Sequence, residues 1–490
     1  MKLTKIVTAV LLAVLICFTS VACGEDYKDA YIYVELNSRP HTLDPQLAET
    51  TEEITVTRAL YDTLLRYNAD GESVPSAAES YENKGLVYTF KLKSDAKWTD
   101  GTPVTAHDFV FALRRAVNPE TVAPLASSLF CIKGAKAINN RSADVSTLGV
   151  FAENDYTLKI ELERQDPEFL KVLTMPITAP CNREIFENAK GKYGLTVDTT
   201  ASNGSYYVRI WNTADKFLLR LAKNLDFKGE FEANSMRVYF TCSEKDAIYL
   251  LENDNTDLSF ITTEEYPSVS SAGFEVERTE DTCYVMFINQ NIDRSVRAAL
   301  LTSVDRKGIS NSLGDVYRPA DTFFPSALSL KGIKSVDSYI IHDENSAKQM
   351  YLNSALNTEN KSTLTIGYPS DPVIRSVSKS IAAHWQQTLS CFVNIEEKQE
   401  SQLKQGYSYG GYDIIILPVS SVAGITASYT SKFLSENIEP ISLQENLFGE
   451  YLCYPICYSS TNIGADKKMK NLKSSTHDGI VDVSQLIKMQ

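Results

Sequence analysis

Histidine, cysteine and serine are the side chains from which a hydrolytic or metal-dependent site would be built, and their placement in this sequence builds none. His41, His107, His342, His384 and His477 stand apart, with no His-Glu-x-x-His pair and no adjoining carboxylate cluster, so metal-assisted hydrolysis lacks ligands. No Gly-x-Ser-x-Gly elbow presents a nucleophile, and no glycine-rich loop is arranged to cradle phosphate. Of the nine cysteines, Cys17 and Cys23 fall in the N-terminal segment, leaving Cys131, Cys181, Cys242, Cys283, Cys391, Cys453 and Cys457. An odd number cannot all pair with one another, and Cys453 and Cys457 have metal-like spacing without a second pair of ligands, so buried free thiols are expected. His107 and the pair Arg114-Arg115 are assigned to the wet face of a helix, and Trp98 to the core. The chain is therefore expected to have no catalytic residue, no metal ligand and no cofactor, and its function is sought in binding.

Composition narrows the class of partner. The 490 residues are 43% hydrophobic and 22% charged, which suits two or three globular domains. Sixty-two acidic against 48 basic residues give a net charge of −14, which argues against a nucleic-acid surface. Residues 1–22 form a signal peptide: Lys2 and Lys5 open it, and Val7 to Phe18 is apolar but too short for a comfortable membrane span. Ser20-Val21-Ala22-Cys23 resembles the lipobox of bacterial lipoproteins, in which the cysteine is lipidated, although Ser20 stands where leucine is usual. The same residues also satisfy an ordinary signal peptidase, so the chain is expected either anchored to the cell membrane through Cys23 or secreted and soluble outside the cytoplasm. Two acyl chains on one cysteine meet the requirement for stable anchoring.

The elements follow from local pattern. Ala30 to Leu36 is a strand of aromatic and branched residues, followed by the rigid loop Arg39-Pro40-His41-Thr42-Leu43-Asp44-Pro45. Ile54, Val56, Leu60, Tyr61 and Leu64 have helical spacing and predict a helix over 54–66. Leu86 to Lys93 and Tyr156 to Glu163 alternate apolar and polar residues, as strands with one wet face do. Between them Asp100-Gly101 makes a turn, Thr105 and Asp108 start a helix, and apolar residues at 106, 109, 110, 113, 116 and 117 give it one buried stripe before Asn118-Pro119 stops it. Cys283 to Ile288 and Tyr412 to Leu417 are apolar strands, the second of parallel-sheet character.

Several of these stretches carry a family resemblance. Thr42-Leu43-Asp44-Pro45, Leu60 to Leu64, Pro75 to Ser80, the Trp98 to Asn118 block, Asp166 to Leu170, Asn203-Gly204-Ser205-Tyr206, and Val296 to Leu300 with Asp305-Arg306 resemble, in order and spacing, the family 5 extracytoplasmic solute-binding proteins of peptide ABC importers, most closely their oligopeptide-binding branch. The resemblance implies an α/β, two-lobed periplasmic-binding-protein-like fold (type II, cluster C) with an α+β subdomain inserted in lobe I. It places lobe I in residues 23–66, 195–283 and the C-terminal return 453–490, the subdomain in 67–194, and lobe II in 284–452. It also implies a monomer that takes a peptide or peptide-like ligand between its lobes and passes it to a membrane permease.

The departures from the family fall where ligand is held. The position of the family's acidic residue for the peptide amino terminus is Val422, a frequent arginine is replaced by Ile416, and a cleft tryptophan by Ser401. An ammonium buried without a counter-charge costs several kcal/mol, so this cleft is expected to be remodelled. Lobe II is expected to be shortened near 435–452, where family members place two helices. Arg39, Pro40 and His41 follow the first strand, where family contacts occur, and with Ser401, Ile416 and Val422 they are the candidate ligand-binding positions; an ordinary surface loop is the other reading of 39–41. A surface scaffold or adhesin that keeps the fold without standard peptide binding is the alternative function.

Overall fold

A computed structural model of the protein describes residues 31–489 except 215–216, 228–236, 244, 254, 315, 329, 355–362 and 422–439. The signal segment, Cys23 and Val422 lie outside the described residues. The chain enters in β1 (Tyr31–Glu35), whose Ile32 and Val34 are fully buried, and turns through the Pro40–Pro45 loop into α1 (Thr51–Leu60). Thr50 and Glu53 close a reciprocal capping box at the start of α1.

The helix ends at Leu60 rather than running to residue 66, and a tertiary contact is the reason. Tyr61 turns extended, and the side chain of Asn203 takes over the backbone of Asp62: its Oδ1 accepts from the Asp62 amide at 3.1 Å and its Nδ2 donates to the Asp62 carbonyl at 3.1 Å. Leu65 can then open the short hairpin β2 (Leu65–Tyr67) and β3 (Ser73–Pro75). Gly204 lies against the same turn, where an added Cβ would sit 2.7 Å from the Leu60 carbonyl carbon and from the Tyr61 amide nitrogen. Gly204→Ala is therefore expected to cost about 1–3 kcal/mol by forcing backbone apart, read as a lower urea midpoint with an unchanged m-value.

Strands β4 (Ala78–Lys84), β5 (Val87–Leu92), β6 (Val150–Asn154) and β7 (Thr157–Glu161) form an antiparallel sheet in the order β4-β5-β7-β6. Helix α2 (Ala106–Val117) joins β5 to β6 and buries the stripe that its spacing predicts, Ala106, Phe109, Val110, Leu113, Ala116 and Val117. Trp98 is buried and His107 is exposed, whereas Arg115 departs from the expected wet face. Its guanidinium is buried in an ion pair with Asp44 of the Pro40–Pro45 loop, and its Nη1 donates to Gln46 Oε1 at 2.6 Å. The helix has a second covered side, because Ala112 packs with Cys181, Ala189 and Tyr193.

Apart from two short two-stranded sheets near the C-terminus, Met469–Lys470 with Ile487–Lys488 and Thr476–His477 with Ile480–Val481, the remaining strands make one mixed sheet of eleven. They are β8 (Tyr206–Asn212), β9 (Leu218–Lys223), β10 (Arg237–Thr241), β11 (Leu258–Ile261), β12 (Glu275–Ile288), β13 (Arg318–Pro319), β14 (Thr363–Tyr368), β15 (Phe392–Glu397), β16 (Ile414–Ser420) and β17 (Cys453–Ala465), together with β1. Their order is β15-β14-β16-β12-β17-β11-β1-β10-β9-β8, with β13 on β17. Strand β16 is parallel only to β14, and it is antiparallel to β12 over Thr282–Ile288. Around this sheet lie α3 (Arg294–Ser303), α4 (Pro372–Leu389), α5 (Glu400–Ser408) and α6 (Pro440–Gly449). In the segment expected to be shortened, α6 buries Leu443 and Phe448, and its Gln444 accepts from the Phe323 amide at 2.9 Å and donates to the Lys334 carbonyl at 2.7 Å.

Two apolar cores divide the molecule into two lobes. One gathers Ile32, Leu60, Phe109, Leu158, Leu219, Phe260, Ile463 and Val483, so the small antiparallel sheet packs continuously with the first lobe. The other runs from Cys283 to Tyr458 and includes Leu300, Trp385 and Ile416. Strands β12 and β17, paired along most of their length, carry the chain from one core to the other near Asp281 and Ser459 to Asn462. Among the described residues, Cys131, Cys181, Cys242, Cys283, Cys391, Cys453 and Cys457 are free thiols, and all but Cys242 are buried.

Candidate ligand-binding site

At that crossing lies a cavity of about 490 Å³. Its first wall comes from the loop after β1 (Asn37), the first turn of α1 (Thr51, Glu52), and the end of β11 with the residues that follow (Phe260 to Glu264). The second wall carries Tyr284 of β12, Tyr317, and Asp371, Pro372 and Val373 at the start of α4; Ser460, Thr461 and Asn462 of β17 lie between them. A strand places alternate residues on opposite faces, so Tyr284, itself 7% exposed, lines this cavity while Cys283 and Val285 are fully buried.

The polar groups on the wall are held by short contacts. Tyr317 donates its hydroxyl to Glu264 Oε1, and its ring meets that of Tyr284 edge-on with centroids 6.4 Å apart. Asp371 caps α4 by accepting from the Ile374 amide at 3.0 Å, with Pro372 at the first helical position. Glu52 is pushed above the ordinary carboxyl range, chiefly by burial, with the charge of Glu53 adding to it.

Asp281 stands behind the wall, at the bulge of β12 between Glu280 and Thr282. Thr461, a wall residue, donates to its Oδ2 at 2.6 Å, and Thr282 donates to its Oδ1 at 3.1 Å. Burial nevertheless pushes this carboxyl up to about 6. Between the ordinary Asp range and pH 6 the folded protein thus keeps a proton that the unfolded chain has released, so stability falls as pH rises through that window, on the order of 2–3 kcal/mol. Asp62, also pushed up to about 6 by burial, adds a slope of the same sign. Asp281→Asn is expected to raise the melting temperature at pH 8 and to flatten, by roughly half, the decline between pH 4 and 6.5. A variant with the wild-type slope would remove Asp281 from this account.

The positions singled out in the sequence lie elsewhere. Arg39 is exposed and donates to the Ala214 carbonyl at 3.2 Å; Pro40 is buried; and His41 is exposed, its Nδ1 3.3 Å from Glu53. Only Asn37, from the start of the same loop, faces the cavity. Ser401 is exposed on α5, and Ile416 is fully buried in the second core opposite Met286, a place that only an apolar side chain fills without cost. Glu52 and Glu264 carry no sequence signal, since acids are common both in the first turn of a helix and in loops. Asp371-Pro372 does carry one, an N-cap followed by proline.

Among the described residues no group of three or more His, Cys, Asp or Glu could hold a metal ion, and no helix is long and apolar enough to cross a membrane. Two α/β lobes on one mixed sheet, joined by a pair of long strands with a cavity at the joint, define a two-lobed binding protein. The sequence profile of the bacterial extracellular solute-binding proteins, family 5, matches residues 72–439, and the chain belongs to that family. It is a binding protein and not an enzyme. The periplasmic oligopeptide-binding protein OppA of Salmonella typhimurium is 27% identical over 430 residues, covering 84% of this chain and 78% of the relative. The oligopeptide-binding protein OppA of Bacillus subtilis is 26% identical over 409 residues, covering 77% and 73%. The solved structure of the Escherichia coli murein tripeptide binding protein MppA superposes with a TM-score of 0.78 at 21% identity over 94% of this chain and 98% of that one. The Haemophilus influenzae OppA complex with RPPGFSPFR gives 0.76 at 21% identity over 94% and 99%.

Proposed function

We propose that this protein captures a peptide or peptide-like solute between its lobes and hands it, as a monomer, to an ABC permease while tethered to the cell membrane through lipidated Cys23. The observation that carries the reading is the cavity at the crossing of β12 and β17, lined from both cores. In this reading lobe I is residues 23–66, 67–194 and 195–283 with the return 453–490, and lobe II is 284–452, although Cys283 and the start of the return, Cys453 to Tyr458, pack in the second core. Relatives named as oligopeptide-binding proteins support the ligand class. A ligand bound only by the folded protein at a hundred times its Kd adds about 2.7 kcal/mol of stability, so a matching peptide is expected to raise the melting temperature by several degrees. Thermal scans against mixed di- to hexapeptides, with mass spectrometry of the freshly purified protein for retained peptide, test this. Absence of both a shift and a retained ligand would leave the scaffold or adhesin reading. Metabolic labelling with a fatty acid, lost in Cys23→Ala, tests the anchor.

A further inference from the structure

The second lobe reaches back toward the first through three consecutive residues, Val316, Tyr317 and Arg318. Tyr317 is part of the second core and Val316 packs against it, while Arg318 opens β13, paired with Tyr458 of β17. Each of the three meets a side chain of the first lobe or of the crossing. The Val316 carbonyl accepts from Arg278 Nη2 at 3.0 Å, the Tyr317 hydroxyl donates to Glu264 Oε1, and Arg318 holds Glu280 in a two-point ion pair at 3.0 and 2.6 Å.

Parting the lobes would treat these contacts differently. Glu280 stands beside Asp281 at the bulge of β12, where the strands cross, so the Arg318 pair lies at the pivot and anchors the segment there. Glu264 follows β11 on the first lobe, and Arg278 is fixed by its Nε bond to Ser460 Oγ at 2.9 Å and by stacking 5.0 Å from the centre of the Tyr266 ring. Their bonds to residues 316 and 317 span the two walls and must break when the walls separate. Both bonds run between protein atoms, so they favour the closed arrangement whatever the cavity holds. A hydrogen bond exchanged for bonds to water shifts an equilibrium by roughly three- to ten-fold, and two acting together are enough to make one side of a balanced equilibrium dominant.

We propose that residues 316–318 are a clasp that holds the two lobes closed through protein contacts alone, and that Glu264 and Arg278 set how often the cavity opens. A binding protein built this way rests closed and captures its ligand during brief openings, rather than standing open until a ligand draws the lobes together. The resting conformation does not depend on what the cavity binds, so the peptide-binding reading can fail without touching the clasp.

Small-angle X-ray scattering tests this on the whole purified protein, freed of any retained ligand by unfolding in guanidinium and refolding. The wild-type curve is expected to match the one calculated from the structure. Glu264→Ala removes an exposed side chain and leaves both cores intact, so it should fold and raise the radius of gyration. Tyr317→Phe removes only the hydroxyl and should raise it equally, and the two changes together should do no more than either, because they break one bond. Arg278→Met breaks the other bond and should add to Glu264→Ala, the double variant gaining about ten-fold or more in open population over the wild type. Thermal scans report whether each variant folds; if Tyr317→Phe does not, Glu264→Ala and Arg278→Met still carry the test. Wild-type protein that scatters with its lobes apart would overturn the inference, and so would folded variants that scatter as the wild type does.

Discussion

Replacing Arg115 by methionine is expected to cost about 3–5 kcal/mol of stability, the range for removing one partner of a buried ion pair. Asp44 would be left buried and uncompensated in a loop that also supplies Gln46, whose Oε1 accepts from the guanidinium and whose Nε2 donates to the Ala179 carbonyl at 2.9 Å. The guanidinium is further sandwiched against the rings of Phe186 and Tyr193, with centroid distances of 4.5 and 5.5 Å. This one side chain therefore ties the loop after β1 to helix α2 and to the segment around 181–193. Asp44→Ala should be similarly damaging, whereas Asp44→Ala with Arg115→Met should cost clearly less than the sum, since no charge is then left alone. Urea unfolding of the four proteins measures the cycle; additive losses would show that the charges do not act as a pair.

Trp385→Ala is expected to cost about 3–5 kcal/mol in the other lobe, the range for emptying a buried aromatic site. Trp385 is fully buried on α4, and its Nε1 donates to the Leu300 carbonyl at 3.2 Å and to Ser303 Oγ at 3.0 Å, pinning α4 to the end of α3. Trp385→Phe keeps most of the volume and removes only the indole donor, the Leu300 carbonyl still accepting from Ser303 Oγ at 2.7 Å, so its loss should be smaller, about 1–3 kcal/mol. Arg115 and Trp385 stand on separate cores with no shared partner, so their effects should add. Calorimetry of the single variants is expected to move different parts of the unfolding profile, one for each lobe. A common shift of a single sharp transition would instead mean that β12 and β17 couple the lobes into one cooperative unit.

Much of the fold was legible because its signals are local. Alternation along Leu86 to Lys93 and Tyr156 to Glu163 gave β5 and β7, and the stripe from Ala106 to Val117 gave α2 to the residue. The helix predicted over 54–66 failed at its C-terminal half, because Asn203 stops α1 at Leu60 and no local pattern announces a partner so distant in sequence. Arg115 failed for a related reason. Its polarity suits a wet face, and only the approach of Asp44, Phe186 and Tyr193 makes a buried site for it.

By itself the sequence determined the class of this protein. Hydrophobic period, turn residues and caps act over a few positions and specify single strands and helices, whereas the two-lobed solute-binding fold is what the family resemblance implied. Which side chains line the cavity at the joint emerges only in the tertiary structure. The resemblance singled out Arg39, Pro40, His41, Ser401, Ile416 and Val422; Val422 lies outside the described residues, and the other five do not line the cavity. Glu52, Glu264 and Asp371 do, from a helix start, the loop after a strand and the cap of another helix. Nothing in their neighbours distinguishes the two glutamates from ordinary surface acids. They come to one cavity only when β12 and β17 set the lobes face to face, a long-range arrangement that no local pattern encodes.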